Sequence, residues 1–221
     1  MIRLPDVTLV VADSVAQPLS RMAIEDTLRQ IEPAAVLTWG NEELVPYAEH
    51  TFAPLRSYEE VGEVLWHEAP KKTQTSHMLL IQYDGWVLDG TAWTDEFLDY
   101  DYIGAPWFWY DPPRNVGNGG FSLRSVELMK ATGGFVPGFP EDERLCRGVY
   151  RNHLEPLGFK WAPAVVASKF SFERVQALPK KTFGFHGMFN WPYLLSREAL
   201  ASRRAAATDY VRSKVEWREM V

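Results

Sequence analysis

The sequence feature that most constrains the fold is an apolar run, Met78 to Ile81, followed directly by Gln82, Tyr83 and Asp84. A run of this kind, without polar alternation, is typical of a strand buried on both faces of a parallel sheet. A carboxylate inside such a strand would be costly, so Asp84 is predicted just past the carboxyl end of the strand. In open α/β sheets, ligands bind at that end of the strands. The run therefore predicts a parallel sheet with Asp84 at its ligand-binding edge.

The first half of the chain alternates predicted strands and helices, a pattern typical of nucleotide-binding α/β proteins. Apolar runs predict strands over residues 7–12 and 34–39. Between them, an apolar stripe predicts a helix that begins near Pro18 and is closed by Pro33. A second helix is predicted over residues 58–68, with Ser57 as its N-cap and Glu60 in the capping-box position.

The second half is less regular. A helix is predicted over residues 138–158, a pair of short strands between residues 160 and 169, and a long C-terminal helix over residues 196–221. The sequence contains no internal repeat and no clear linker. These patterns predict a single α/β domain with a mainly parallel central sheet flanked by helices.

Composition excludes several classes of protein. The chain has 221 residues, 46% hydrophobic and 24% charged, which is ordinary for a globular protein. Its net charge of −6 argues against nucleic-acid binding, which usually requires a basic face. The single cysteine, Cys146, excludes an intramolecular disulfide framework and a cysteine-based zinc site. No apolar run reaches the ~20 residues of a membrane span, and the N-terminal run is too short for a secretory signal, so a cytoplasmic protein is expected.

Two features could hold a ligand near the predicted edge of the sheet. Asp84 is either a turn residue or a ligand of a divalent metal whose shell a diphosphate completes, since hard cations prefer oxygen ligands. The glycine-rich segment Gly117 to Gly120 is either a plain turn or a place where backbone approaches a ligand, with Asn118 orienting a hydroxyl or carbonyl group.

Glu141 and Asp142 follow Pro140 in the first turn of a predicted helix. Their charges could serve only to offset the helix dipole. Alternatively, one of them is a general base that takes a proton from an acceptor hydroxyl. Asp142 is the better candidate, because the residue after Pro140 is expected to serve the first turn of the helix.

His186 lies between two glycines in an aromatic segment, a context that suits either metal ligation or an ordinary hydrogen-bonded histidine. Trp107 and Trp109 lie in a proline-rich loop, where indole faces could form an acceptor wall against the C–H face of a sugar. The alternative for both tryptophans is that they fill a gap in the core.

Five segments between residues 75 and 190 resemble, in order and spacing, an uncharacterised bacterial and fungal domain family placed near the GT-A glycosyltransferases. They are "IQYDGWVLD", "DYDYIGAPW", "VGNGGFSLRS", "PEDERLC" and "TFGFHG". The resemblance implies a single GT-A-like domain over residues 1–221. It would consist of a nucleotide-binding half (1–90), an acceptor and metal half (91–195) and the C-terminal helix (196–221).

The resemblance also implies roles for individual residues. The segment Gln82 to Asp84 occupies the place of the metal-binding Asp-x-Asp motif, with Gln82 replacing the first acid and removing one charge. Asp13 would lie beside the nucleoside, and His186 would be a late ligand of Mn²⁺ or Mg²⁺. Donor-binding residues would further include Asn118, Gly119 and Gly120, and the carboxylates facing the acceptor would be Glu141 and Asp142.

The implied activity is transfer of a sugar from a UDP- or GDP-linked donor to a carbohydrate or glycolipid acceptor, in a pathway such as surface-polysaccharide synthesis. Two alternatives from other classes stay open. One is a metal-dependent hydrolase that uses Glu141 and Asp142 as a carboxylate pair. The other is a catalytically inactive nucleotide- or sugar-binding module, because Gln82 departs from the metal-binding motif.

Overall fold

The computed structural model of the chain describes residues 1–46, 48–52, 55, 57–136 and 140–214. These described residues form the strands β1 (Ile2–Ala12), β2 (Ile31–Gly40), β3 (Glu49–Phe52), β4 (His77–Ile81), β5 (Tyr102–Ile103), β6 (Ala105–Pro106), β7 (Val116–Gly117), β8 (Phe121–Ser125), β9 (Ser171–Phe172) and β10 (Gly184–Phe185). The α-helices are α1 (Gln17–Gln30), α2 (Tyr58–Glu63), α3 (Ala69–Lys72), α4 (Val126–Ala131), α5 (Glu141–Cys146), α6 (Val149–Leu154), α7 (Ala164–Phe170), α8 (Trp191–Leu194), α9 (Arg197–Ala206) and α10 (Asp209–Arg212).

Shorter helical turns complete the description. A π-helical turn, Val64–Glu68, joins α2 to α3. The 3₁₀ turns are Gly90–Ala92, Asp95–Asp99, Thr132–Gly134, Glu155–Leu157 and Met188–Asn190.

A six-stranded sheet with the order β3-β2-β1-β4-β8-β5 organises the fold. The first four strands are parallel, whereas β8 runs antiparallel to both β4 and β5. Every residue of β4 is buried. Leu79 and Ile81 pack with α1 on one face, while Met78 and Leu80 join the second core cluster with Trp66. The mainly parallel sheet is therefore confirmed, and the unbroken apolar run is explained by burial on both faces.

Several element boundaries differ from the sequence predictions. Helix α1 ends at Gln30, because Ile31 already has extended backbone and Pro33 lies inside β2, opposite Leu4. The Ser57 cap is confirmed, since its side chain accepts a hydrogen bond from the Glu60 backbone. The helix that begins there continues through the π turn beyond its predicted end.

Three predictions in the second half are wrong. Residues 164–170 form the helix α7 instead of strands, because Val166, Ala167 and Phe170 share one buried face. The predicted helix over 138–158 is interrupted after α5, at the C-cap residue Arg147. The short apolar stretch of α7 fits both the helical and the strand repeat, so tertiary packing decides its conformation.

The predicted long C-terminal helix is also wrong for the described residues, and residues 215–221 lie outside them. Helix α9 stops because Ala207 adopts extended backbone. Thr208 then caps the short helix α10 and donates its hydroxyl hydrogen bond to the Val15 carbonyl. No helix in the described part of the chain combines the length and the apolar character of a membrane span.

Arg203 of α9 attaches the C-terminal helices to the rest of the protein. Its side chain is 2% exposed and forms an ion pair with Asp26 of α1. The guanidinium carbon also lies 3.9 Å from the ring centroid of Trp86 and 5.4 Å from that of Trp191. A buried cation of this kind requires its carboxylate partner, because an unpaired buried charge is strongly destabilising.

The first prediction tests this ion pair. The Asp26→Asn substitution should lower the free energy of unfolding by about 3 kcal/mol or more, because Arg203 would remain buried without its counter-charge. Urea unfolding measures the change. The matched control is Glu25→Gln on the same helix, which removes an exposed pair with Arg29 and should change stability by at most about 1 kcal/mol. Equal effects of the two substitutions would contradict the assigned role of Arg203.

Candidate active site

The loop that follows β7 is held in shape by Asn118. This residue has a positive φ of 78°, in the left-handed region that asparagine tolerates better than most residues. Its side-chain oxygen accepts hydrogen bonds from the backbone N–H groups of Gly120 (3.0 Å) and Phe121 (3.2 Å). Those two donors fix the orientation of the amide, so its nitrogen faces Nδ1 of His186 at 3.2 Å.

The two glycines of the loop connect it to other segments. The Gly119 N–H donates to Oδ2 of Asp142 at 2.9 Å. The Gly120 carbonyl accepts from the Gln82 N–H at 2.9 Å. A Cβ on residue 120 would lie 2.0 Å from Nε2 of His186, so only glycine leaves room for the imidazole ring. The loop thus contacts Gln82 just after β4, Asp142 of α5 and His186 after β10.

His186 stands between two carboxylates. Its Nε2 lies 3.2 Å from Oδ1 of Asp84, and its Nδ1 lies 3.6 Å from Oε1 of Glu173. Strands β9 and β10 pair in parallel, and the His186 N–H donates to the Phe172 carbonyl, which sets Glu173 beside His186. The Asn190 amide donates to the carbonyl oxygens of both. Burial lowers the pKa of His186, but Asp84 and Glu173 outweigh this effect and raise the pKa to about 10.

Asp84 and His186 have the oxygen and nitrogen atoms to hold a divalent metal with a partial protein shell, and the metal would have to displace the proton that the two carboxylates favour on His186. Oδ1 of Asp84 and Nε2 of His186 are buried, and the described residues give neither atom a hydrogen bond of good geometry. Their 3.2 Å separation is close to the roughly 3 Å between neighbouring ligands that each lie ~2.1 Å from one ion. Among the described residues, no cluster of three or more His, Cys, Asp or Glu side chains is arranged for a metal. A metal here would therefore need oxygen ligands from a bound substrate.

The two acidic residues at the start of α5 have different environments. Glu141 forms a bidentate ion pair with Arg124, at 2.6 and 3.0 Å, and accepts a hydrogen bond from the Trp66 indole. The Arg124 side chain is fully buried, so Glu141 is needed to neutralise it. Asp142 accepts the Gly119 N–H and has no such cation bound to it in the described structure. Burial, and then the negative charge of Glu141, raise the pKa of Asp142.

Asp13 lies at the end of β1, as predicted, but its carboxylate holds the following loop together. It accepts hydrogen bonds from the backbone N–H groups of Val15 and Ala16, and from the Ser20 hydroxyl at 2.6 Å. Asp13 lines a pocket of 100 Å³ together with Tyr83 and other residues. Asp13 therefore shapes that pocket through its hydrogen bonds to the backbone.

The two tryptophans predicted for the acceptor side differ in solvent exposure. Trp107 is 4% exposed, and its ring lies against Gly117, so the prediction that it offers a face to an acceptor is wrong. A side chain larger than hydrogen on Gly117 would collide with that ring. Trp109 is 50% exposed and lines an open groove of 590 Å³ beside Phe108 and Arg174.

Three cavities adjoin one another at the carboxyl end of β4. The main cavity, 260 Å³, is lined by Gln82, Asn118, Asp142, Glu173 and His186, among other residues. Gln82 also lines the pocket beside Asp13 and a third cavity of 170 Å³. All the sequence-predicted site residues except Trp107 and Trp109 line one of these three cavities.

Sequence reasoning missed Glu173 and Arg124. Glu173 directly follows β9, but Ser171 and Phe172 form too short a strand to give the apolar-run signal that identified Asp84. Arg124 looks like an ordinary solvent-facing strand residue in the sequence. Only the packing of α5 over β8 shows that it is buried against Glu141.

Comparison with known proteins identifies the family of the chain and a solved structure of similar fold. Residues 45–186 match the family described as protein of unknown function DUF5672. The chain belongs to the DUF5672 family. A solved structure titled "Crystal structure of a glycosyltransferase involved in the glycosylation of the major capsid of PBCV-1" is similar to this DUF5672 protein with a TM-score of 0.50 and 14% sequence identity. The alignment covers 90% of this chain and 97% of that one, so the DUF5672 chain has a glycosyltransferase-like fold. No curated protein matches the chain.

The second prediction concerns the space that Gly120 leaves for His186. The Gly120→Ala substitution should displace the imidazole ring, because the added methyl group would lie within van der Waals distance of it. Overpacking of this kind should lower the free energy of unfolding by about 1–3 kcal/mol. Urea unfolding and the NMR signals of the His186 ring measure the two effects.

The control for this experiment is Gly134→Ala, because a Cβ at that position meets no atom within 4 Å. It should change stability by about 0.5 kcal/mol or less and leave the His186 signals unchanged. Unchanged His186 signals in Gly120→Ala would show that the ring does not depend on the glycine.

Proposed function

We propose that this protein is a glycosyltransferase that moves a sugar from a nucleotide-diphosphate donor to a hydroxyl group of a carbohydrate or glycolipid acceptor. The observation that carries the proposal is the convergence of Asp142 and His186 on one 260 Å³ cavity, with Asp84 paired to His186. The glycosyltransferase-like fold supports it, since ligands in such sheets bind at the carboxyl ends of the strands.

On this proposal, the nucleoside binds in the 100 Å³ pocket beside Asp13. Tyr83 and Tyr210 line this pocket, and aromatic rings suit contact with a base or ribose. Gln82 lines this pocket and also the main cavity, which gives the donor a continuous path from its nucleoside to its sugar.

Departure of the nucleotide diphosphate requires its developing charge to be neutralised. When bound, Mn²⁺ or Mg²⁺ held by Asp84 and His186 would supply that neutralisation. Glu173 faces the opposite ring nitrogen of His186 and holds the ring in place. Gly120 leaves the space that the ring occupies.

Asp142 is the proposed general base. Its carboxylate lines the main cavity, and the Gly119 N–H fixes its position. A buried carboxylate with a raised pKa is a stronger base than an exposed one, and so accepts a proton from a sugar hydroxyl more readily. Glu141 supports Asp142 indirectly, because its ion pair with Arg124 anchors the first turn of α5.

The acceptor is proposed to bind in the groove beside Trp109. Phe108 is 68% exposed next to it, so the groove presents two aromatic rings that can pack on the C–H face of a sugar. Arg174 lines both this groove and the 170 Å³ cavity, which brings the acceptor side next to the donor side.

The hydrolase alternative loses its main support, because Glu141 is bound to buried Arg124 and does not form a free carboxylate pair with Asp142. An inactive nucleotide-binding module remains the competing outcome. Such a module would have the same pockets, but it would bind nucleotide without transferring a sugar.

The third prediction tests donor binding. Thermal unfolding with UDP, GDP, UMP and GMP, each with and without Mn²⁺, should show stabilisation by one diphosphate, increased by Mn²⁺. A ligand at ~100 times its Kd adds ~2.7 kcal/mol to the free energy of unfolding. In the double substitution of Asp84 by Asn and His186 by Gln, the Mn²⁺-dependent part should disappear. Absence of stabilisation by every nucleotide would overturn the proposed function.

The fourth prediction tests the base. Asp142→Asn should lower kcat about a hundredfold or more and leave nucleotide binding unchanged, because only proton transfer is lost. In the wild-type protein, kcat/KM should fall as the pH drops through the raised pKa of Asp142, since a protonated carboxyl cannot act as the base. Initial rates of sugar transfer or donor hydrolysis across pH measure both effects.

The control for the base is Glu127→Gln, which removes an exposed carboxylate from the first turn of α4. It should leave kcat unchanged, although it alters a helix dipole in the same way. If Asp142→Asn retains full activity, Asp142 serves only the first turn of α5. If the wild-type protein binds nucleotide and transfers no sugar from any donor, it is a binding module.

A further inference from the structure

The 170 Å³ cavity next to Asp84 is lined by two cationic side chains to which the proposed function gives no contact with the donor. Arg174 and Lys214 line it, together with Asp84, Glu173 and His186. The cavity adjoins the nucleoside pocket, since Gln82 and Tyr83 line both. A protein with a net charge of −6 thus presents two basic side chains at one point of its cleft.

We propose that Arg174 and Lys214 form a diphosphate-binding subsite, with Lys214 on the phosphate next to the nucleoside and Arg174 on the outer phosphate. The inference rests on the proposed function for its biological ligand, a nucleotide diphosphate. Asp84 and Glu173 would repel such an anion at close range, so cations in the same cavity are required to bind it. Guanidinium and ammonium groups are the side chains suited to phosphate oxygens.

Neighbouring contacts distinguish the two positions. The Lys214 ammonium lies 4.3 Å from the ring centroid of Tyr210, and Tyr210 itself lines the nucleoside pocket. Lys214 therefore lies on the nucleoside side of the cavity. Arg174 lies on the other side, because it also lines the groove of Phe108 and Trp109, where the acceptor is proposed to bind.

The backbone holds each cation at a defined place. Arg174 follows Glu173, whose carbonyl is fixed by the Asn190 amide, and its guanidinium carbon lies 4.4 Å from the ring centroid of Phe189. The Lys214 N–H donates to the Val211 carbonyl at the end of α10. Each cation thus lies against an aromatic ring, which limits the positions it can adopt within the cavity that it lines.

The subsite also gives the C-terminal segment a function. Arg203 and Thr208 fasten α9 and α10 to the body of the protein through Asp26 and Val15. That attachment determines where Lys214 lies. The helices after α8 would then complete the donor site and not merely cover the core.

The test uses the full-length protein and measures binding of pyrophosphate, UMP and UDP by calorimetry in EDTA, with GMP and GDP in parallel. EDTA removes any contribution of divalent metal. Charge-assisted hydrogen bonds contribute enough for a loss of about tenfold or more in affinity per cation removed. Arg174→Met should weaken pyrophosphate and UDP about tenfold while leaving UMP unchanged, and Lys214→Met should weaken all three.

Arg212→Met is the matched control, because Arg212 is an exposed cation of α10 that pairs with Asp209 and does not line the cavity. It should bind all three ligands like the wild-type protein. Thermal unfolding of each variant, together with Arg174→Lys as the charge-conserving version, separates loss of binding from loss of folding. Arg174→Lys should restore most of the pyrophosphate affinity.

Two results overturn the subsite. One is a wild-type protein that does not bind pyrophosphate at millimolar concentration, and the other is equal binding in the Arg174, Lys214 and Arg212 variants. Neither depends on sugar transfer, so the proposal fails separately from the proposed function. If the protein transfers sugar and both the Arg174→Met and the Lys214→Met variants bind pyrophosphate like the wild-type protein, the proposed function stands and the subsite is rejected. If the two variants bind pyrophosphate more weakly and the wild-type protein transfers no sugar, the subsite stands and the proposed function is rejected.

Discussion

The site depends on the left-handed conformation of Asn118. Because two backbone N–H groups bind its side-chain oxygen, the amide nitrogen can only face His186. The same turn aims the Gly119 N–H at Asp142 and the Gly120 carbonyl at Gln82. One short loop therefore sets the relative positions of three segments that are distant in sequence. Residues other than Asn, Asp and Gly adopt such a φ at a considerable cost.

Beneath this loop lies the buried pair of Arg124 and Glu141, which joins the central sheet to α5. Arg124 also lies over the ring of Tyr102, and the Tyr102 hydroxyl donates to the Asn118 carbonyl. Arg124, Glu141, Tyr102 and Asn118 therefore form one connected set of contacts beneath the cleft. Buried ion pairs of this kind often contribute little net stability, but they specify one arrangement against its competitors. Here that arrangement is the one that brings Asp142 to Gly119.

Much of the fold could be predicted because its signals are local. The apolar run before Asp84 and the Ser57 cap each reflect a constraint that acts within a few residues. Glu173, Arg124 and the burial of Trp107 could not be predicted, because they depend on which elements pack together. Helix α7 was assigned to strands for the same reason, since a short apolar segment fits either period until its neighbours are known. Roles of the site residues in binding and catalysis remain predictions.

The parallel pairing of β9 with β10 has a consequence for how such proteins can diverge. Glu173 and His186 are held by that pairing and by the Asn190 amide, so their positions do not depend on the chain that connects them. Residues 175–177 of this connection line the aromatic groove of Phe108 and Trp109. Changes in the length or sequence of the connection would therefore alter the groove and leave the Asp84–His186–Glu173 cluster intact. The groove and the cluster can therefore vary independently within one small fold.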